Sequence, residues 1–136
     1  VDEAIGRHSI DRKRMAVSAT GKPSVTHYRV EQRYRAHTLI KCKLETGRTH
    51  QIRVHMAHIR HPLLGDPVYG GRFKQAKGMT ESCREVIQNF RRQALHAGLL
   101  GFIHPTTGEE VSWQIDLPDD MQQLVDALAA DAEMID

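Results

Sequence analysis

Between Leu44 and Gly70 the chain reads LETGRTHQIRVHMAHIRHPLLGDPVYG, and no other stretch constrains the molecule as much. Arginines, four histidines, a short apolar seam and a Gly-Asp-Pro turn share one block. Ile52, Met56 and Ile59 recur at i, i+4 and i+7, the spacing of one helix face. Thr49 is a competent N-cap and Pro62 a stop, so the spacing predicts a helix between them. A core helix needs only the seam. The crowd of polar groups beside it is what a site for a polyanion requires.

Charge is divided along the chain. Residues 1–60 carry 13 Lys and Arg against 5 Asp and Glu, whereas residues 61–136 carry 6 against 12. No Lys or Arg follows Arg92. A basic first half suits a nucleic-acid face. The competing reading is that charges separated in sequence mix in space, or that residues 109–136 are simply a solvated acidic end.

A chain of 136 residues is one domain or part of one. Cys42 and Cys83 form no paired motif, so neither a disulfide framework nor a zinc ribbon fits, and a reducing cytoplasm suits the chain. No apolar run approaches a membrane span, and no secretory signal opens the sequence. The start at Val1, without methionine and on a polar stretch, looks like a cut inside a longer protein.

The remaining elements are readable from period and punctuation. One short strand is expected near Arg14–Ser18. SVTHYRVEQ, from Ser24 to Gln32, alternates, with Tyr28 and Val30 opposite His27 and Arg29. His37 to Leu44 repeats the pattern, setting Ile40, Cys42 and Leu44 against Lys41 and Lys43. The break at Arg33–Ala36 makes the two an antiparallel hairpin. Arg72 to Met79 is polar and without pattern. Thr80 caps a second helix with Val86, Ile87 and Phe90 inward. Gln93 to His104 reads as a long strand, Pro105 to Gly108 as a turn, and Glu109 to Ile115 as a returning strand. Pro118 opens a last helix with Met121, Leu124, Val125 and Leu128 inward. Strands joined by hairpins and interrupted by helices argue α+β, with a mainly antiparallel mixed sheet flanked by helices.

Chemistry concentrates on the first helix. Arg53 lies next to Ile52 and one turn from His50, at the edge of the buried face, where a guanidinium is costly without a carboxylate or phosphate. Arg48 precedes the helix, where backbone N–H groups and the dipole favour an anion. Together they read as an anion clamp, or as a surface pair in local salt bridges, for example with Glu45. His50, His55, His58 and His61 are the rival signal, because His55 and His58 share a face. No HExxH or carboxylate ligand pattern accompanies them, and hydrogen bonding or contact with RNA phosphates is the commoner use.

The block LETGRTHQIRVHMAHIRHPLLGDPVYGG resembles the most characteristic motif of the large-subunit pseudouridine synthases of the RluA family. MAVSATGKPSVTHYRV resembles the segment leading into that family's sheet. RQALHAGLLGFIHPTTGE resembles its later strand and turn, and LPDDMQQLV its C-terminal helix. The resemblance covers nearly the whole chain. It implies the pseudouridine synthase fold in part, and isomerisation of uridine to pseudouridine in 23S-type RNA of the large ribosomal subunit. It also implies a cytoplasmic monomer with no metal or organic cofactor. The family's aspartate attacks or deprotonates the sugar–base unit, the N-glycosidic bond breaks, the base turns and a carbon–carbon bond forms. That aspartate sits in an HRLD-type motif, and a tyrosine in a K-x-Y-x-A segment; neither motif is present here. Asp11 and Asp66 lie in other contexts and receive no catalytic role.

Residues 1–136 thus resemble the C-terminal portion of such a catalytic domain, without its aspartate portion or an S4-like domain, and by themselves are expected to be inactive. Arg53 matches the family arginine that pairs with the catalytic aspartate, so its partner is expected from outside this chain. Arg48, Thr49, His50 and Gln51 are assigned to site scaffolding or RNA contact. Leu95 is assigned to apolar packing near the flipped base, with ordinary core as its plainer role. Asp66 and Tyr69 match a GDPxYG loop and read first as a structural turn. Cations in Arg7–Arg14 and Arg29–Lys43 are candidates for RNA backbone contacts. The alternatives are a non-catalytic RNA-binding module and metal-dependent hydrolysis through the histidines.

Overall fold

A computed structural model describes residues 1–70, 77–97, 99–103, 110–114 and 116–134, with the backbone alone at 99–103 and 110–114. Most of the polar stretch after Gly71 and the expected turn at Pro105–Gly108 lie outside the described residues. The order is β1 (Ile5–Arg7), β2 (Met15–Val17), β3 (Thr26–Arg33), β4 (Thr38–Leu44), α1 (Gln51–His58), α2 (Glu81–Asn89), β5 (Leu99–Ile103), β6 (Glu110–Gln114) and α3 (Asp119–Glu133). The class is α+β with antiparallel strands, as expected. The described strands pair as three two-stranded ribbons, β1 with β2, β3 with β4 and β5 with β6.

The β3–β4 hairpin follows the alternation closely. Tyr28 pairs with Cys42 and Val30 with Ile40, while His27 pairs with Lys43 and Arg29 with Lys41. One face is therefore apolar and the other basic. A register shift between Val30 and Gln32 places a bulge near the turn. β1 is the element the sequence reading missed. Its three residues carry no period, and tertiary pairing creates it: Ile5 sits opposite Val17 and also bridges to Lys22.

Helix α1 departs from expectation in two ways. Its N-cap is His50, not Thr49. His50 adopts a left-handed backbone with φ 55° and makes no side-chain cap bond. The turn is closed instead by Gln51, whose Oε1 accepts from the Arg48 N–H at 3.0 Å. The buried face is also rotated. Gln51, Arg53, Val54, His55 and Met56 are buried, while Ile52 and Ile59 are only half-buried. The helix packs on β2 and β3, and polar pairing makes that face tolerable to bury. His55 shares a hydrogen bond of 2.8 Å with Thr26 Oγ1, and its other ring nitrogen reaches the Glu3 carbonyl at 2.8 Å. The C-terminus closes as a Schellman motif: His61 N–H donates to Met56 O and Arg60 N–H to Ala57 O. Arg60 occupies the left-handed position, φ 68°, usually held by glycine.

The main apolar core lies between α2 and α3. Met79, Cys83, Ile87, Phe90, Met121, Leu124 and Leu128 are buried together, with Val86 and Tyr34 packed at the margin. Thr80 caps α2 as expected, accepting from the Cys83 N–H at 3.2 Å. Burial of a leucine such as Leu124 or Leu128 contributes about 1.5–3 kcal/mol over exposure. Beside this core the acidic end proves not to be merely solvated. Asp131 is 2% exposed. Its carboxylate accepts from Arg35 Nε at 3.0 Å and from the Thr80 N–H at 2.6 Å. Arg35 Nη2 also donates to the carbonyls of Asp131 and Met134, capping the end of α3. Burial pushes the Asp131 carboxyl up, but the Thr80 N–H and the Arg35 guanidinium outweigh it and hold the carboxyl below its ordinary range.

Breaking a buried ion pair from one side leaves the other charge unmatched. Asp131→Asn should therefore lower stability by about 3 kcal/mol. Urea unfolding should show an earlier midpoint with an unchanged slope. An unshifted midpoint would remove this contact from the interactions that hold α3.

Candidate active site

The segment after α1 turns sharply at Leu63–Gly70, and two glycines make the turn possible. Gly65 has φ +76°, and a Cβ there would lie 2.2 Å from the Arg92 carbonyl oxygen. A Cβ on Gly70 would lie 2.4 Å from the Asp66 carbonyl oxygen. Between them Asp66 is 5% exposed, and one carboxylate oxygen accepts from the Val68 N–H at 3.0 Å and the Tyr69 N–H at 3.1 Å. It is a turn residue, as read. It is also the partner of Arg53.

Arg53 donates from Nε to Asp66 Oδ2 and from Nη2 to Asp66 Oδ1, both at 2.9 Å. This is the bidentate geometry for which arginine is suited over lysine. The side chains are 10% and 0% exposed. Arg53 thus has a carboxylate mate within this chain, Asp66, which the sequence reading did not foresee. A guanidinium at a buried edge does require an anion, and the Gly-Asp-Pro turn delivers one thirteen residues downstream. Burial alone would raise the Asp66 carboxyl; Arg53 and the two backbone N–H groups outweigh it and lower it. The bond to Asp66 in turn raises Arg53. Arg53 Nη1 has no hydrogen-bond partner among the described residues.

Tyr69 completes the arrangement. Two guanidiniums lie over its ring, Arg14 5.2 Å and Arg53 5.0 Å from the ring centroid. Its hydroxyl accepts from the Met15 N–H at 2.9 Å and meets His50 Nδ1 at 2.8 Å. The His50 and Tyr69 rings meet edge to face, 5.6 Å between centroids. Burial lowers the His50 pKa, and the nearby Arg53 charge lowers it further against a smaller opposing pull from Asp66.

A cleft of about 350 Å³ opens beside this cluster. Its walls include Arg48, His50, Gln51, Ile52, Arg53 and Leu95. Five of the six residues singled out in the sequence meet there; the exposed Thr49 does not line it. Arg48 is fastened, donating from Nε and Nη2 to the Pro23 carbonyl at 3.1 and 3.0 Å. The proposed two-arginine clamp is therefore one arginine on a carboxylate and one on a carbonyl. Gln51 is 3% exposed, and its amide makes four hydrogen bonds: to the Val25 carbonyl, with Thr26 and Thr46 hydroxyls, and from the Arg48 N–H. That leaves it scaffolding. Leu95 does not sit on a strand, because β5 begins at Leu99. Its neighbour Ala94 donates to the Leu64 carbonyl, so this segment is bound to the Asp66 turn and delivers Leu95 to the cleft as coil. Arg14, read in the sequence only as one of the cations for RNA backbone contact, instead lies over the Tyr69 ring.

The histidines disperse. His55 is sealed against Thr26, His50 serves Tyr69, and His58 faces Glu3 at 3.9 Å. Among the described residues no three metal-ligating side chains converge.

Residues 2–58 match the family model described as RNA pseudouridylate synthase. The chain is also similar in fold to the solved human RNA Pseudouridylate Synthase Domain Containing 1, with a TM-score of 0.65 and 29% identity over 96% of this chain and 58% of that one. RNA pseudouridylate synthases are thus the class of protein to which this chain is similar. Within that class it is similar to ribosomal large subunit pseudouridine synthase D: 55% identical to that of Vibrio cholerae over 98% of the chain, 56% to that of Haemophilus influenzae over 96%, and 53% to that of Escherichia coli K12 over 98%. The chain spans only about two-fifths of the length of these relatives, 41%, 40% and 41%.

The Asp66 carboxyl is lower in the fold than its ordinary value of 3.8. Its contribution to stability is therefore complete at neutral pH and is lost as pH falls below that value through the folded one. Asp66→Asn should cost about 3–5 kcal/mol at pH 7. It should cost less in acid, below the ordinary value of 3.8, once the native carboxyl is itself protonated. Equal losses at both pH values in urea unfolding would show that the charge on Asp66 contributes nothing.

Proposed function

We propose that this chain is the arginine-bearing portion of a ribosomal RNA pseudouridine synthase, and that the intact enzyme isomerises uridine to pseudouridine in large-subunit ribosomal RNA. The observation that carries this reading is the cleft, where Arg48, His50, Gln51 and Leu95 gather around a guanidinium held rigid by Asp66. The similarity to ribosomal large subunit pseudouridine synthase D over nearly all of the chain supports it.

In this reading a uridine is drawn out of its helix, at a cost of a few kcal/mol offset by backbone contacts. The nucleophilic or basic aspartate comes from a part of the enzyme beyond these residues. Arg53 serves it as a preorganised cation. Two of its nitrogens are fixed on Asp66, and the remaining Nη1 edge is available to a second carboxylate or to a phosphate. Leu95 offers the unstacked base an apolar wall. The chemistry is internal to the nucleotide, since the base is both leaving group and acceptor, so no cofactor is called for. The intact enzyme acts as a cytoplasmic monomer on the large-subunit RNA. No described helix is long and apolar enough to cross a membrane.

The competing reading is an RNA-binding module without catalysis, and the observation on its side is that Arg53 already has its carboxylate. Kinetics separate the two. In the full-length protein, Arg53→Ala should cut turnover by about 10²–10³-fold, the scale of losing one preorganised donor. RNA affinity should change little. Equal loss of affinity and turnover would favour the binding module.

A second measurement addresses the basic ribbon. Arg29, Lys41 and Lys43 share one face of β3–β4. Each phosphate neutralised adds about −0.7 to −0.9 to the slope of log affinity against log salt. Lys41→Ala with Lys43→Ala should flatten that slope by roughly 1.5. An unchanged slope would move the RNA contact elsewhere.

A further inference from the structure

The hydrogen bonds of the Tyr69 hydroxyl bear on where the proton of His50 sits. That hydroxyl accepts from the Met15 N–H at 2.9 Å, so its own hydrogen is free to be donated. The acceptor within reach is His50 Nδ1, at 2.8 Å. A ring nitrogen that accepts is unprotonated, and in a neutral imidazole the hydrogen then resides on Nε2. The opposite arrangement, Nδ1–H donating to Tyr69, would leave the phenol hydrogen without an acceptor among the described residues. Surrounding charge agrees with a neutral ring: Arg53 and Arg14 flank Tyr69, and Asp66 is already neutralised by Arg53.

His50 also lines the cleft. Its Nε2 has no hydrogen-bond partner among the described residues and is not among the sealed, unpartnered polar atoms, which are Arg14 Nε and His37 Nδ1. Its backbone stands in the left-handed region, φ 55°, which turns the ring out of helical alignment. That conformation is strained for a residue bearing a side chain and persists where surrounding contacts enforce it. Here the enforcing contact is Tyr69.

We infer that Tyr69 is a positioning residue that locks His50 as the Nε2–H tautomer, and that His50 presents this neutral donor in the cleft to a carbonyl oxygen of the uracil base. The inference deepens the proposed function and rests on it for the identity of the ligand. The donor being uncharged is the reason for choosing a base carbonyl over a phosphate. A phosphate oxygen gains most from the guanidinium of Arg53, whereas a neutral carbonyl is adequately met by a neutral N–H. Tyr69 is then the means by which one turn fixes both the cation and the donor.

The test uses the full-length protein with ¹⁵N-labelled histidine, the His50 signals being identified from the His50→Asn spectrum. The expected result is an unprotonated Nδ1 and a protonated Nε2 at neutral pH. Tyr69→Phe should give a mixture of tautomers at neutral pH. A protonated Nδ1 in the native protein, or an unaltered tautomer in Tyr69→Phe, overturns the lock. Added uridine, which has no phosphate, should move the Nε2 signal. No movement with uridine, or movement with inorganic phosphate alone, overturns the base-carbonyl assignment.

Steady-state kinetics on ribosomal RNA complete the test. His50→Asn places its amide nitrogen near the Nδ1 position and so removes the donor from the cleft, while asparagine tolerates the left-handed backbone well. His50→Gln restores an N–H near Nε2 on a backbone less suited to glutamine. KM should rise about 10-fold in the Asn variant, the scale of one hydrogen bond, and clearly less in Gln. Equal effects overturn the donor role. If the native enzyme converts no uridine at all, the proposed function fails, while the tautomer measurement still decides the lock by itself.

Discussion

The bidentate pair between Arg53 and Asp66 is the interaction on which the candidate site depends. It joins a helix residue to the turn that follows that helix, with no appreciable water contact on the carboxylate side. Remove it and three things lose their reference point together: the Asp66 turn, the Tyr69 ring over the guanidinium, and the His50 ring on the Tyr69 hydroxyl. Such a pair is weak evidence for stability, because desolvation offsets much of its attraction. Its value lies in orientation. A guanidinium gripped along one edge presents the other edge in a fixed direction.

Around that pair the molecule builds a wall of satisfied polar groups. Gln51 uses both ends of its amide, His55 both ring nitrogens, and Arg48 two of its nitrogens on one carbonyl. Each is anchored to the start of β3 or to the chain just before it. The helix carrying the site is thereby keyed to the ribbon through hydrogen bonds, while the apolar core lies elsewhere, between α2 and α3. Side chains that face the cleft can then be polar without loosening the fold.

Much of this was legible in the sequence. Alternation in THYRV and TLIKCKL fixed the β3–β4 register, because a one-residue slip would exchange its apolar and basic faces. Thr80 announced α2, and the Met121–Leu124–Leu128 spacing announced α3. The site was legible as a cluster: Arg48, His50, Gln51, Arg53 and Leu95 were named together and do meet. What the sequence concealed were contacts whose partner is chosen by the tertiary fold. Apolar periodicity pointed to Ile52 and Ile59, whereas the buried face of α1 is set by Gln51 and His55 finding acceptors on other segments. Asp66 read as a turn former because local spacing says nothing of a guanidinium on the preceding helix. The contact of Arg14 with Tyr69 and the strand β1 gave no signal, since each is defined by a neighbour remote in sequence.

The contact between Arg35 and Asp131 closes a separation of 96 residues. Arg35 sits in the tip of the β3–β4 hairpin, and Asp131 near the end of α3, so neither can settle by local folding alone. As the chain leaves the ribosome, the contact of the hairpin tip with Asp131 must wait until almost all of the described residues have followed. The last helix is then a latch. Its arrival converts two independently formed pieces into one cooperative body, and the hairpin tip and the end of that helix open and close as a single event.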